Sequence, residues 1–393
     1  MNRHAALAQA LLAAVRAQHF EATPDAWRGG AAVARFPSID LAVAAFPHTG
    51  APVWANVLFS REHPAGGVAA IDARAGSVGN IGFDADVRDA ALESIAWRAD
   101  ADWSNIEWRA LPLHGAGAER GPASARRPGS EHSQGLKRFV APYPASLLKL
   151  MVAVGVGLAV DRSLLAEWPA DVEPMLVTSD NDATDRMVAL LHRENSIEPL
   201  NQRLRELGLA MLQLNGTTAA GGWRNGDGAG VGMIHMTAWD TVRLLWLLDE
   251  QAPAAPWLQA AAPFGEPPTP LLQPASQRHL HALLRRQQLD EVLSSGALRD
   301  VPGWVAGLPD APAFAHKTGS TDNYAADAGI FHSGAADSRD ASDAGAEIHY
   351  LIAVLSSLGR RHAPHARCAT TWGLPALGAA VHRLMQRAMR NPR

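Results

Sequence analysis

Lysine is nearly absent from this chain. Of 35 basic side chains only Lys137, Lys149 and Lys317 are lysines, and the rest are arginines. A guanidinium keeps its proton at any accessible pH, whereas a buried lysine can release one, so positions that retain lysine are candidates for proton chemistry. Cysteine is scarcer still. A lone Cys368 excludes an internal disulfide framework and a thiolate metal cluster, and it reads as a half-buried bystander thiol. Neither sign of charge is in excess, with 35 basic against 39 acidic residues and a formal net charge of -4. Nucleic acid and anionic membrane surfaces therefore meet no electrostatic lure. The chain also lacks the run of about 18 uncharged apolar residues that a membrane span needs. Its nearest approach, Val152 to Val160, is bounded by Lys149 and Asp161.

What is present suits a soluble globular protein acting on a small molecule or peptide. The 393 residues, 47% of them apolar, can bury one large core or two modest ones. The start, Met-Asn-Arg-His followed by Ala5 to Val15, has the basic and apolar parts of a secretory signal. Gln9 interrupts it and Arg16 closes it, so an ordinary amphipathic helix over residues 1 to about 20 is expected.

Patterning divides the rest. Phe36 to Phe46, Val53 to Phe59, Gly67 to Ile71 and Ile106 to Pro112 carry the alternating or compact apolar runs of strands. Between His114 and Gly135 the composition collapses to small, polar and charged residues without apolar periodicity, which predicts an exposed insert. Units are placed at 1–113, with the first helix and strands, at 114–136 for the insert, and at 137–390. From Ser146 to Val160 runs a helix apolar on nearly every face, hence interior. Residues 182–207, 237–249 and 276–295 have helical spacing, and Gly216 to Gly232 is a glycine-rich loop containing Trp223. Three strand-like runs follow, Ala313 to Lys317, Ala325 to His332 and Ile348 to Ser356, then a closing helix from Leu374 to about Met389. A surface extension is expected at Ser333 to Glu347. Strands at both ends around a helical middle predict an α/β (α+β) fold, with one antiparallel sheet built from both termini and flanked by helices.

Three short motifs carry chemistry. In Ser146-Leu147-Leu148-Lys149, helical spacing puts a hydroxyl and an amine on one face. An amine set in an apolar helix has a lowered proton affinity, which suits it to take the serine proton. Ser179-Asp180-Asn181 opens the next helix, and by itself reads equally as an N-cap. His316-Lys317-Thr318-Gly319-Ser320 lies on a strand, where Gly319 lets a ligand approach the backbone and Lys317 attracts a carboxylate. Any one of these recurs by chance. All three, once each and in this order on a helix, a helix start and a strand, form a specific pattern.

On these motifs, residues 137 to 390 resemble the serine β-lactamase and penicillin-binding-protein superfamily, nearest its class A β-lactamase-like branch. Leu207-Gly208-Leu209, Met236-Thr237-Ala238 and Asp327-Ala328-Gly329-Ile330 fit the same layout. The resemblance implies Ser146 as acylated nucleophile, Lys149 as base, Ser179 as proton shuttle and Asn181 as donor to the substrate's amide carbonyl. It implies that Lys317 and Thr318 hold a substrate carboxylate, and that the backbone N–H groups of Ser146 and Ser320 form the oxyanion hole. No cofactor or metal is called for. The implied partner is a β-lactam or a D-alanyl peptide, with no nucleic acid partner and the oligomeric state left open. The compartment reads as cytoplasmic from the sequence alone, and as periplasmic if the substrate is cell-wall peptide or β-lactam.

Two departures stand out. Ser146 and Ser179 are only 33 positions apart, fewer than in typical class A enzymes. No glutamate occurs between Glu206 and Glu250, where those enzymes carry the residue that activates the deacylating water. Asp227 and His235 are the remaining titratable candidates there. Hydrolase, D-alanyl carboxypeptidase or esterase, and acylated sensor therefore all stay open. The histidine pairs His279-x-His281 and His362-x-x-His365 lack the company that zinc needs.

Overall fold

The computed structural model describes residues 2–33, 36–61, 63–84, 137–223, 234–261, 270–309, 313–333 and 347–390. The expected strand at Ile106 to Pro112, the insert at 114–136, nearly all of the Ser333 to Glu347 extension, and Asp227 lie outside them.

Alternation dictates the architecture. In β1 (Ile39–Ala45), the side chains of Ile39, Leu41 and Val43 join one apolar cluster, and those of Ala42 and Ala44 join another. Side chains alternate across a strand, so such a segment must be covered on both faces. β2 (Val53–Ser60), β3 (His63–Val68), β4 (Phe314–Ser320), β5 (Ala325–Ser333) and β6 (Ile348–Ser356) complete a six-stranded sheet of order β4-β5-β6-β1-β2-β3. Every neighbouring pair is antiparallel. The seam is β6 against β1, with Ala353 opposite Ala42 and Val354 opposite Leu41. There the two ends of the chain meet, as the segregation of strand-like runs predicts.

One face is covered by the terminal helices. α1 (Arg3–Arg16) buries Leu7, Leu11, Leu12 and Val15 in the same cluster as Leu374, Leu377, Val381 and Met385 of the last helix, Gly373–Arg390. The N-terminal stretch is thus an amphipathic helix docked on the sheet. Each fully buried aliphatic side chain of this kind is worth about 1.5–3 kcal/mol.

The helical middle covers the other face. Its central element is α2 (Lys149–Asp161), buried from Lys149 to Ala159 and preceded by a 3-10 turn at Ala145–Leu148. The nucleophile candidate Ser146 therefore stands in the tighter turn rather than in the α-helix itself. α3 (Val172–Val177), α4 (Asn181–Arg193) and α5 (Ile197–Glu206) surround it, with α6 (Ala238–Leu248), α7 (Pro256–Ala261) and α8 (Pro274–Leu284) beyond. The long helical spacing at 182–207 resolves into two helices because Asn195 takes a left-handed φ of 50°. The spacing over 276–295 overran, since α8 ends at Leu284. Among the described residues, no helix is long and apolar enough to cross a membrane.

Candidate active site

The two halves converge where the Ser146 turn meets β4. Gly319 makes that approach possible. A Cβ there would lie 2.8 Å from the Ser146 nitrogen and 2.6 Å from the Leu147 nitrogen, and would collide with the Pro144 carbonyl oxygen. Any larger residue would push the strand off the turn. Two residues at this junction take left-handed backbone without being glycine, Ala145 at φ 49° and Ser179 at φ 61°. Such conformations cost on the order of 1–3 kcal/mol each and persist only where the surroundings impose them.

Lys149 opens α2 and is buried. Its ammonium donates to the Ser179 carbonyl oxygen at 2.6 Å, to Ser179 Oγ at 3.1 Å and to Asn181 Oδ1 at 2.8 Å. Lys317 comes from β4 on the far side, fully buried, and donates to the same Ser179 Oγ at 3.0 Å and to the Thr318 carbonyl oxygen at 2.8 Å. Two ammonium groups thus fill the two acceptor sites of one hydroxyl, which leaves the Ser179 proton free to be donated into the cleft. Because Asn181 Oδ1 faces a donor, its amide nitrogen is the atom left for a ligand. Asp180 accepts from the Ala183 nitrogen at 2.7 Å, so the Ser-Asp-Asn segment caps α4 and presents Ser179 and Asn181 at once.

Burial lowers the Lys149 amine to about 8, against the pull of the Asp180 and Asp185 carboxylates. Lys317 is pushed well below the usual lysine range, first by burial and then by the Lys149 ammonium. Two buried amines beside one hydroxyl, with no carboxylate among the described residues hydrogen-bonded to either, form a site that sheds protons readily.

The structure brings Ser146, Lys149, Ser179, Asn181, Lys317, Thr318 and Ser320 to this one place. Ser146 and Ser320 are half-buried, Asn181 is exposed, and Thr318 is buried. His235 sits in a two-residue strand paired with Gln213–Leu214 and is half-buried. Trp223 of the glycine-rich loop packs partly against the core, with its indole N–H buried and, among the described residues, unpartnered. Trp239 and Trp246 are core residues, while His279 lies against Trp168. Cys368 is fully buried rather than half-buried, packed with Leu298 and Val301.

Sequence reasoning missed several groups around the site. Arg360 donates to Ser320 Oγ at 3.0 Å and faces the buried Glu291 carboxylate at 3.4 Å. It stands in an unremarkable Arg-Arg dipeptide and carried no signal. Tyr143 and Tyr324 form an edge-to-face pair just before the Ser146 turn, with centroids 5.7 Å apart. They are two of only three tyrosines in the chain, a scarcity that could have drawn notice. His316 adjoins Lys317-Thr318-Gly319 in the strand motif, but the sequence gives no sign of its environment. Its Nδ1 meets Asp327 Oδ1 at 2.8 Å and its Nε2 meets Asp290 Oδ1 at 2.7 Å.

No family model and no curated protein matches this chain. Among solved structures it is similar to a protein named PBP-A, at 19% identity and a TM-score of 0.37, covering 63% of this chain and 79% of that one. It is also similar to a beta-lactamase from Sphaerobacter thermophilus, at 16% identity and TM-score 0.39, covering 61% and 82%. A beta-lactamase from Streptosporangium roseum matches at 13% identity and TM-score 0.41, covering 62% and 84%.

Proposed function

We propose that this protein is an active-site-serine hydrolase that works through an acyl-enzyme on a β-lactam, or on a related amide or ester carrying a carboxylate near the reacting carbonyl. The observation that carries this reading is the convergence of the Lys149 and Lys317 ammonium groups on Ser179 Oγ, at 3.1 and 3.0 Å, beside the Ser146 turn. Lys149, lowered to about 8, takes the Ser146 proton as Oγ attacks the carbonyl carbon. The Ser146 and Ser320 backbone N–H groups receive the oxyanion. Ser179 then returns a proton to the leaving nitrogen or oxygen, Asn181 Nδ2 holds the substrate's side-chain amide, and Lys317 with Thr318 favours a substrate carboxylate.

A second reading, a penicillin-binding sensor or dead-end target, draws on the lack of any glutamate between Glu206 and Glu250. One experiment tests both. The intact mass of the protein is followed during incubation with a penicillin and a cephalosporin, with Ser146→Ala alongside. The expected result is one ligand mass gained by the wild type and never by Ser146→Ala. An adduct that decays with product formation marks a hydrolase, and one lasting hours marks a sensor. No adduct and no hydrolysis would overturn the β-lactam reading.

A further inference from the structure

Hydrolysis of an acylated serine needs a group that takes a proton from water at the acyl carbon. Lys149 serves the acylation step in the reading above, and Asp180 is occupied as the α4 cap. One acidic side chain near Lys149 is differently placed. Asp185 stands one turn after Asn181 on α4, so the two share a helix face. Among the described residues, no hydrogen bond or ion pair engages its carboxylate.

Residues 218–222 of the glycine-rich loop are laid directly on it. Thr218 Oγ1 closes a tight turn by donating to the Gly221 carbonyl oxygen at 2.6 Å, and the Thr218 nitrogen donates to Gly222 O at 3.1 Å. A Cβ on Gly221 would lie 2.5 Å from the Asp185 carbonyl oxygen and 3.2 Å from its Cβ, and one on Gly222 would lie 3.4 Å from Oδ1. Both glycines have left-handed φ, 91° and 70°. At Gly221 only bare backbone fits against Asp185, so this turn packs on the Asp185 backbone and, among the described residues, offers its carboxylate no charged partner.

We propose that Asp185 is the general base of deacylation, the role for which the loop supplies no glutamate; this rests on the acyl-enzyme reading above. Asp185 takes one proton from water as the water oxygen bonds to the acyl carbon of the Ser146 ester. The tetrahedral adduct then collapses, the bond from carbon to Oγ breaks, and the proton passes to Oγ. Free serine and a carboxylic acid result, with no other reactant needed. Partial burial and the Asp182 carboxylate both raise the proton affinity of Asp185, against the opposing Lys149 charge, which makes it a stronger base than a free aspartate.

The test follows the intact mass of the full-length wild type, Asp185→Asn and Asp185→Glu after a pulse of penicillin and its removal. The same Ser146 adduct is expected on all three. Its decay should slow by about 100-fold or more in Asp185→Asn and recover in part in Asp185→Glu. Because Asp185 is exposed and Asn is isosteric, a merely structural role would leave the decay unchanged. An adduct lost equally fast from Asp185→Asn and wild type overturns this inference alone. So does a wild-type adduct as persistent as that of Asp185→Asn. Failure of the wild type to form any adduct overturns the acyl-enzyme reading with it.

Discussion

His316 and Lys317 are neighbours on β4, both basic and both buried, yet they end in opposite electrostatic states. They point to opposite faces of the strand. His316 stacks on Phe314, with ring centroids 4.3 Å apart, and bridges two carboxylates. An acceptor at each ring nitrogen requires a proton on each, hence an imidazolium. Burial opposes that charge, but Asp327 and Asp290 outweigh it and push the ring up to about 9. Lys317, on the cleft side, has its proton affinity lowered first by burial and then by the Lys149 ammonium across Ser179, against the weaker pull of the Asp327 and Glu291 carboxylates. Burial outweighed by two hydrogen-bonded carboxylates gives a structural clamp, while burial that carboxylates offset only in part gives a labile proton. Asp327 also accepts from the Leu293 nitrogen at 3.0 Å, so the clamp ties β4 and β5 to the segment after α8.

The comparison breaks most visibly if the clamp is removed. His316→Gln leaves Asp327 and Asp290 without their shared cation, and stability should fall by about 3–5 kcal/mol, read from the urea midpoint. An unchanged midpoint would mean that the two faces of β4 do not differ in kind. Lys317→Met should show the opposite pattern. Stability should change by no more than about 1 kcal/mol, since an apolar chain tolerates that burial. The rate of Ser146 acylation should fall about 100-fold, as expected when a preorganised charge that favours the substrate carboxylate and hydrogen-bonds Ser179 Oγ is lost. Loss of fold with acylation intact would reverse the assignment of the two residues.

Smaller effects should appear with pH, with opposite signs at the two sites. The folded value for His316 lies above the unfolded 6.5, so its contribution is complete below 6.5 and is lost as pH rises through about 9. The folded value for Lys149 lies below the unfolded 10.5, so its contribution rises from about 8 towards 10.5. Acylation of Ser146 should climb as Lys149 loses its proton and level off above about 8. Measuring urea midpoints and acylation rates across this range in wild type and His316→Gln separates the terms, because only the falling stability limb should vanish in the variant.

Much of this was legible in the chain. Alternation in Val53 to Phe59 and Ile348 to Ser356 reports strands locally, and burial on both faces follows from their near-continuous apolar character. The three motifs located the side chains of the site because each spans a few residues whose relative placement is set by one helix turn or one strand. The rest depended on contacts between distant segments. Asp185 read only as a residue within a helix, and nothing local indicates that Gly221 and Gly222 fold onto it. Arg360 reaches Ser320 across 40 positions. The cut between α4 and α5 rests on one residue in a left-handed conformation, which helical spacing does not register.

The amino-acid sequence by itself pointed to the antiparallel strands at both ends, the helical middle, and Ser146, Lys149, Ser179, Asn181, Lys317, Thr318 and Ser320 as one candidate set, because periodicity and short motifs are local properties. Tertiary structure alone decided the strand order, the sharing of Ser179 Oγ by two lysines, and which of two adjacent buried cations is compensated. Charge states in a low-dielectric interior depend on what lies within a few ångströms in space, and for His316 those groups come from positions 290 and 327.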